Sequence, residues 1–255
     1  MSFAGQREPS LPSRFVSFNV QWGGGDEPTG TSRILAIARA LERHEPDVVA
    51  LTEYVPRISG GIIDRLGEAG YVSQALTTPR HPYGGVAILS RWPLESFVLP
   101  SDLTPFAHRV LPVRIPALST TLVGLYAPYQ QPADEFWRVT LTWLATIRDD
   151  RVLVMGDLNT GASEVDMRNK AFFCSQHFAR FPDAGYSDLW RRQHGSEARE
   201  YTWFHETGSG FRIDHALATA AFTDTVGDCR YSHSERDPAV SDHSLMIVDA
   251  WCRDD

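Results

Sequence analysis

Lysine is almost missing from this sequence: Lys170 is the only one, and arginine supplies the other basic side chains. That bias reads as genome composition more than as chemistry. Cysteine is scarce too. Cys174, Cys229 and Cys252 are odd in number, far apart and never in a C-x-x-C pair, which argues against a disulfide framework and against a thiolate zinc site. No apolar run approaches the ~20 residues of a membrane span. The N-terminal "MSFAGQREPSLPSR" lacks the apolar stretch of a secretory signal. The expectation is a soluble, cytoplasmic protein in reducing surroundings. Positive charge is also in deficit: 24 Lys and Arg against 32 Asp and Glu leave a formal net charge of −8. A chain this acidic does not hold nucleic acid by bulk charge. A carboxylate-rich site can still take a phosphate through a divalent cation that inverts the local field, with a local arginine patch to steer it.

What is abundant is short apolar runs. "RFVSFNV", "PDVVALTE", "GGVAILS", "RVLPVRI", "TTLVGLYAP", "RVLVMGD", "RIDHALA" and "HSLMIVDAW" are rich in Val, Ile, Leu and aromatics and are bounded by turn formers, as strands are. Helical spacing appears in "TSRILAIARALERHE", where Ile34, Leu35, Ala38 and Leu41 share a face behind a Thr31 or Ser32 cap. It appears again in "PADEFWRVTLTWLATIRDD", with Pro132 near the first turn. Further helices are expected over about 164–178 and from Asp188 to Arg192. The order is β-α-β, strands, β-α-β, strands, which predicts an α/β protein with mixed sheets and outer helices. Residues 1–12 read as a flexible tail and 13–255 as a single catalytic domain; 23–30 and 232–240 read as polar loops.

The strands end in unusual residues. Asn19 closes "FVSFN", Glu53 closes "DVVALTE", and Asp157 and Asn159 follow "VLVM" in "GDLN". Asp214 lies in "FRIDHAL", and Asp242 and His243 precede the last strand in "SDH". A single such residue usually forms a turn. Five strand ends of this kind in one chain point to convergence, because a buried carboxylate needs a partner. A set of Glu, Asp and Asn oxygens suits Mg2+ or Mn2+ rather than zinc. The histidines at 44, 81, 108, 177, 194, 205 and 233 show no ligand-pair spacing, and none is assigned to a metal. His215, on the opposite side of its strand from Asp214, reads as structural.

Taken in order, "SFNVQW", "PDVVALTE", "YGGVAILSRWPL", "LYAPY", "GDLN", "YTWF…GFRIDHAL" and "SDH" resemble the endonuclease/exonuclease/phosphatase superfamily from about residue 14 to residue 250. The resemblance implies a four-layer α/β sandwich: two mixed sheets face to face, helices outside, and an active site at one end of the sheets. It implies a metal site at Glu53, with Asn19 beside it and Asp242 nearby. Asp157 would position and deprotonate water, Asn159 would bond the phosphate or Asp157, and Leu158 would point into packing. His243 would stabilise the phosphate, held by Asp214, while Tyr126 would donate to or polarise a phosphate oxygen. Arg109 is the candidate phosphate clamp, since a guanidinium binds two oxygens at once.

Within the superfamily, "YTWFHETGSGFRIDHAL" looks most like the abasic-site endonuclease and exonuclease III branch. There Trp203, Phe211 and Ile213 would wall a pocket for a base-free sugar; the same aromatics also fit a plain core role. Gln21 makes an "NxQ" start closer to pancreatic-type deoxyribonucleases, and Tyr129 stands where the abasic endonucleases carry Asn. Trp22 and the glycines 23–25 form a loop beside the site. The leading expectation is a monomeric, Mg2+- or Mn2+-dependent nuclease with DNA as substrate. The alternatives are an enzyme on a small or lipid phosphate ester, favoured by the acidic charge, and a binding module on an inactive scaffold.

Overall fold

Apolar runs without alternation belong to strands buried on both faces; all eight runs above become strands, and in the one over Val110–Ile115 Arg114 is exposed and Leu111 half-buried. The computed structural model describes residues 12–21, 30–80, 84–147, 149–168, 172–237 and 240–251. The loop of Trp22 and glycines 23–25, Cys252, and the tail up to residue 11 lie outside these. One sheet has the order β13 (Val226–Ser232), β14 (Leu245–Ala250), β1 (Ser13–Asn19), β2 (Val48–Tyr54), β4 (Gly85–Ser90), β3 (Ser73–Leu76). The other runs β5 (Glu95–Ser96), β6 (Val110–Ile115), β7 (Thr120–Tyr126), β8 (Val152–Asp157), β12 (Asp214–Ala218), β9 (Ser187–Asp188). A two-stranded ribbon, β10 (Trp203–Phe204) with β11 (Gly210–Phe211), stands apart.

Each large sheet contains one parallel pair joined through a helix. β1 and β2 are linked by α1 (Gly30–His44), and β7 and β8 by α3 (Ala133–Leu144). The remaining strand pairs are antiparallel, so both sheets are mixed. The other helices are α2 (Pro56–Glu68), α4 (Ser175–Phe178), α5 (Leu189–His194) and α6 (Ala220–Thr223).

Period-two alternation sorts each strand between two cores. Phe15, Val48, Ala50 and Ile88 of the first sheet face Val113, Leu122, Leu153 and Met155 of the second. Val16, Phe18, Val49 and Leu51 point the other way, onto Ile37 and Leu41 of α1 and Ile62 and Leu66 of α2. On the far side, Val123, Leu125, Val152 and Val154 meet Phe136, Trp137, Leu141 and Leu144 of α3. The layers are therefore helix, sheet, sheet, helix, as expected.

The expected helix over 164–178 is a correction. Residues 163–166 form a turn and bend, and among the described residues of that range only Ser175–Phe178 is helical. Asp166 is drawn out of any helix by Arg212, whose Nε and Nη2 donate to it at 2.7 and 3.0 Å, and by Arg191. Cys174 then takes a left-handed φ of 69°, which ends continuity with α4. Unforeseen elements have their own reasons. α2 carries Gly60 and Gly61, poor helix formers in isolation, yet a Cβ at 61 would lie 3.2 Å from Ile34 Cγ2 of α1. The small residue lets the two helices approach. β13 is largely half-exposed and polar at the sheet edge, so its pattern reads as loop.

Candidate active site

The strands that carry the singled-out residues all present them at one end of the sandwich. β1, β2, β7 and β8 end there, while β12 and β14 begin there. Asp157 and Asp214 are direct cross-strand partners, an arrangement that sets two carboxylates side by side. Glu53 sits where the register of β2 against β4 shifts between Thr52 and Tyr54, at φ +57°. A bulge of this kind re-aims a side chain, and here it turns the carboxylate toward the neighbouring sheet. Gly84 makes room for it: a Cβ there would stand 2.5 Å from the Glu53 carbonyl carbon.

Asn19 joins the two halves. Its Nδ2 donates to Glu53 Oε1 at 3.1 Å and to Asp157 Oδ2 at 3.0 Å, and its Oδ1 accepts from the Gln21 N–H at 2.8 Å. Tyr126 also donates to Glu53 Oε1, at 3.3 Å. Asn159 closes an Asx turn: its N–H donates to Asp157 Oδ1 at 3.0 Å, its Nδ2 to the Ala127 carbonyl at 2.9 Å, and its φ is +48°. Asn159 thus reaches the same side as Asp157 through a left-handed turn rather than by strand alternation, while Leu158 is fully buried in the α3 core. His243 Nδ1 lies 2.9 Å from Asp214 Oδ2. The hydroxyl of Ser241 pins this segment, donating to the Asn19 carbonyl at 2.7 Å and accepting from the His243 N–H at 3.1 Å. Trp203 Nε1 donates to Asp242 Oδ2 at 2.9 Å.

Burial and crowding set the charges. Burial pushes the Asp157 carboxyl up; His243 opposes this, and Asp214 and Glu53 reinforce it, leaving Asp157 at about 8. Burial likewise raises Glu53, against His243 and the Asn19 bond. For His243 burial disfavours the cation, but Asp214, then Asp157 and Asp242, outweigh it and lift the imidazole to about 10. Tyr126 is pushed well above its usual range by burial and by the Glu53 and Asp157 carboxylates, so it remains a phenol that donates. Glu53 and Asp242 are the groups best placed to hold a divalent cation. Both offer hard oxygens, Asp242 Oδ1 is buried without a hydrogen bond, and a cation would relieve the mutual repulsion among the carboxylates. Asn19 could add its Oδ1 only by releasing the Gln21 N–H.

A cleft of about 480 Å³ is lined by Glu53, Tyr126, Asp157, Asn159, Asp242 and His243. Trp203, Phe211 and Ile213 line the same cleft, Trp203 being next to Asp242 and His243. Sequence reading did not place four other lining residues there, Tyr129, Phe172, Phe173 and His205; the adjacent phenylalanines lay in a segment read as helix. Arg109 is not at the cleft. It is buried, donates to the Tyr126 carbonyl at 3.2 Å, stacks on the Tyr126 ring and lines an adjoining cavity of about 510 Å³ with Arg80 and His108. Arg33, also unforeseen, braces the rim, donating to the carbonyls of Val240 and Val20. His215 faces away and bonds the Thr160 carbonyl at 2.9 Å. It belongs with Asp166 and Asp188, whose ligand atoms cluster within 4.8 Å. Despite burial, Arg212 holds both carboxylates below their usual range, which makes the group an ion-pair network rather than a metal site.

A model of the Endonuclease/Exonuclease/phosphatase family matches residues 16–243. An exodeoxyribonuclease from Bacillus subtilis is 22% identical, with 80% of this chain and 87% of that protein aligned. Two solved structures share the fold at 20% identity. A 3′ phosphatase from Neisseria bound to a product DNA hairpin superposes with a TM-score of 0.74, covering 93% of this chain and 99% of that one. An AP endonuclease from Archaeoglobus fulgidus gives 0.72, covering 92% and 98%.

Proposed function

Because the chain belongs to the endonuclease/exonuclease/phosphatase family, we propose that it is a divalent-metal-dependent phosphodiesterase acting on DNA, at abasic sites or from strand ends, with water attacking phosphorus in line. The observation that carries this is the meeting of Glu53, Asp157 and the Asp214–His243 pair, bridged by Asn19, across the two sheets. Mg2+ or Mn2+ held by Glu53 and Asp242 would neutralise phosphate charge and acidify water. Asp157 accepts the proton of the attacking water, and Asn159 keeps its carboxylate oriented through the turn bond. His243 meets the scissile phosphate as a cation; Asp214 holds Nδ1–H, which aims Nε2–H at the developing charge. Tyr126 donates to a phosphate oxygen in place of Glu53. Trp203, Phe211 and Ile213 receive the base-free sugar, and Arg109 with Arg80 favours the flanking backbone in the adjoining cavity. The groups assigned to the site all come from a single chain, in keeping with a monomeric enzyme.

The deciding experiment is cleavage of abasic-site duplex, intact duplex and single strand with Mg2+, Mn2+ or chelator. Cleavage that needs the cation and prefers the abasic duplex is expected; inert DNA in all three forms would sink the proposal. The net charge of −8 favours a second reading, hydrolysis of a small or lipid phosphate ester. Inositol phosphates, sphingomyelin and nucleotides tested in parallel separate the two.

A further inference from the structure

A second group of ligating side chains lies at α3 and α4, the latter just after Phe172 and Phe173 in the chain. Asp134 stands in the first turn of α3, Cys174 caps α4, and His177 lies within α4. One ligand atom from each falls within 4.8 Å of the other two. His177 Nε2 is 2.7 Å from Asp134 Oδ1. Cys174 and His177 are buried, but the Asp134 side chain is 60% exposed, which leaves a path from solvent. His177 turns Nε2 to Asp134, and its Nδ1 is buried with no hydrogen-bond partner among the described residues.

A plain Asp134–His177 hydrogen bond would anchor α4 to α3 but would not explain the buried thiol set beside both groups. We propose that Asp134, Cys174 and His177 form a binding site for a zinc-type divalent cation, separate from the hard-oxygen site of the cleft. Thiolate, imidazole and carboxylate together select a borderline-soft cation over Mg2+ or Ca2+. Three protein ligands leave a fourth, solvent-side position. Binding exchanges the thiol proton for the cation, and that proton passes to buffer. Sequence reading overlooked the site because Cys174 and His177 form a lone C-x-x-H pair whose third ligand lies forty residues earlier. The consequence is local: a cation here ties α3 to the segment that supplies Phe172 and Phe173 to the cleft wall. The inference stands whether or not the cleft cleaves DNA.

Cobalt(II) titration of the full chain, in excess Mg2+ to occupy the hard-oxygen site, tests it spectroscopically. One equivalent should bind and produce a thiolate-to-cobalt charge-transfer band with tetrahedral d–d absorption. Cys174→Ser should abolish the charge-transfer band. His177→Ala should weaken binding by more than the roughly tenfold that loss of an outer-shell partner costs. Asp134→Asn, at an exposed position where folding is not at stake, should weaken it too. Cys229→Ser, at a buried cysteine outside the group, should leave the bands intact. Absence of the bands in the wild-type protein, their survival in Cys174→Ser, or their loss in Cys229→Ser alone would overturn the proposal.

Discussion

Asp157 and His243 carry opposite anomalies that share one cause. The carboxyl is pushed up to about 8 by burial and by its neighbours Asp214 and Glu53, and the imidazole is lifted to about 10 because Asp214, then Asp157 and Asp242, outweigh its burial. At neutral pH the cleft therefore contains a cationic histidine beside an Asp157 carboxyl that burial holds toward its neutral form, and a divalent cation would shift that group toward the carboxylate that accepts a proton. Asp157→Ala and His243→Ala are each expected to lower kcat by at least ~10²-fold with the fold intact, as loss of a general base or of charge stabilisation does. Steady-state kinetics beside circular dichroism checks this; parallel loss of melting temperature would instead assign the pair to packing. Asp214→Asn yields a pH signature. The His243 cation is present below its raised pKa and is lost as pH rises through about 10. Removing the Asp214 charge removes its largest support while burial still opposes it. The alkaline limb of kcat should then move down into the neutral range, and NMR of the ring nitrogens should show the same displacement.

At the scale of elements, the bulge at Glu53 is the critical device. A regular β2 would keep Glu53 in the ladder; the register shift and left-handed φ release it toward the other sheet. Gly84 is the element's other half, since any Cβ there would meet Glu53 backbone at 2.5 to 2.8 Å. Gly84→Ala should cost about 1–3 kcal/mol by overpacking and should lower turnover more than the stability loss alone accounts for. Thermal melts and kcat measured on one preparation separate the two effects. An unaltered kcat would mean that Glu53 is not held by this contact.

For the whole molecule, the site exists only because two sheets pack in one alignment. The first contributes Asn19, Glu53 and the segment leading to His243; the second contributes Tyr126, Asp157 and Asp214. Gly124 lies at that junction, where a Cβ would stand 2.7 Å from Val86 Cγ1 of the facing sheet. Gly124→Val should force the sheets apart. It is expected to lower the melting temperature and also to lower kcat in the surviving folded fraction, although it replaces no cleft residue. Full kcat per folded molecule would show that the two halves of the site tolerate separation.

The eight core strands, the helices α1 and α3, mixed sheets with outer helices and the polar strand ends were legible in the sequence, while the four-layer order came only with the family resemblance. Strands buried on both faces must be apolar throughout, and a buried carboxylate stands out against such a run. A short helix near 188–192 was legible too; the structure sets it at Leu189–His194, with Asp188 as its cap accepting from the Arg191 N–H at 3.0 Å. Other features were decided only by tertiary structure. The turn at Asp166 depends on two arginines distant in sequence, the release of Glu53 on a glycine thirty-one residues later, and the bridge of Asn19 on two strands from different sheets. The placing of Arg109 beside the cleft rather than in it follows from the ring it stacks on. Periodicity reports what a residue's own strand or helix does with it. Contacts between elements have no period, so they emerge only when the sheets and helices are packed together.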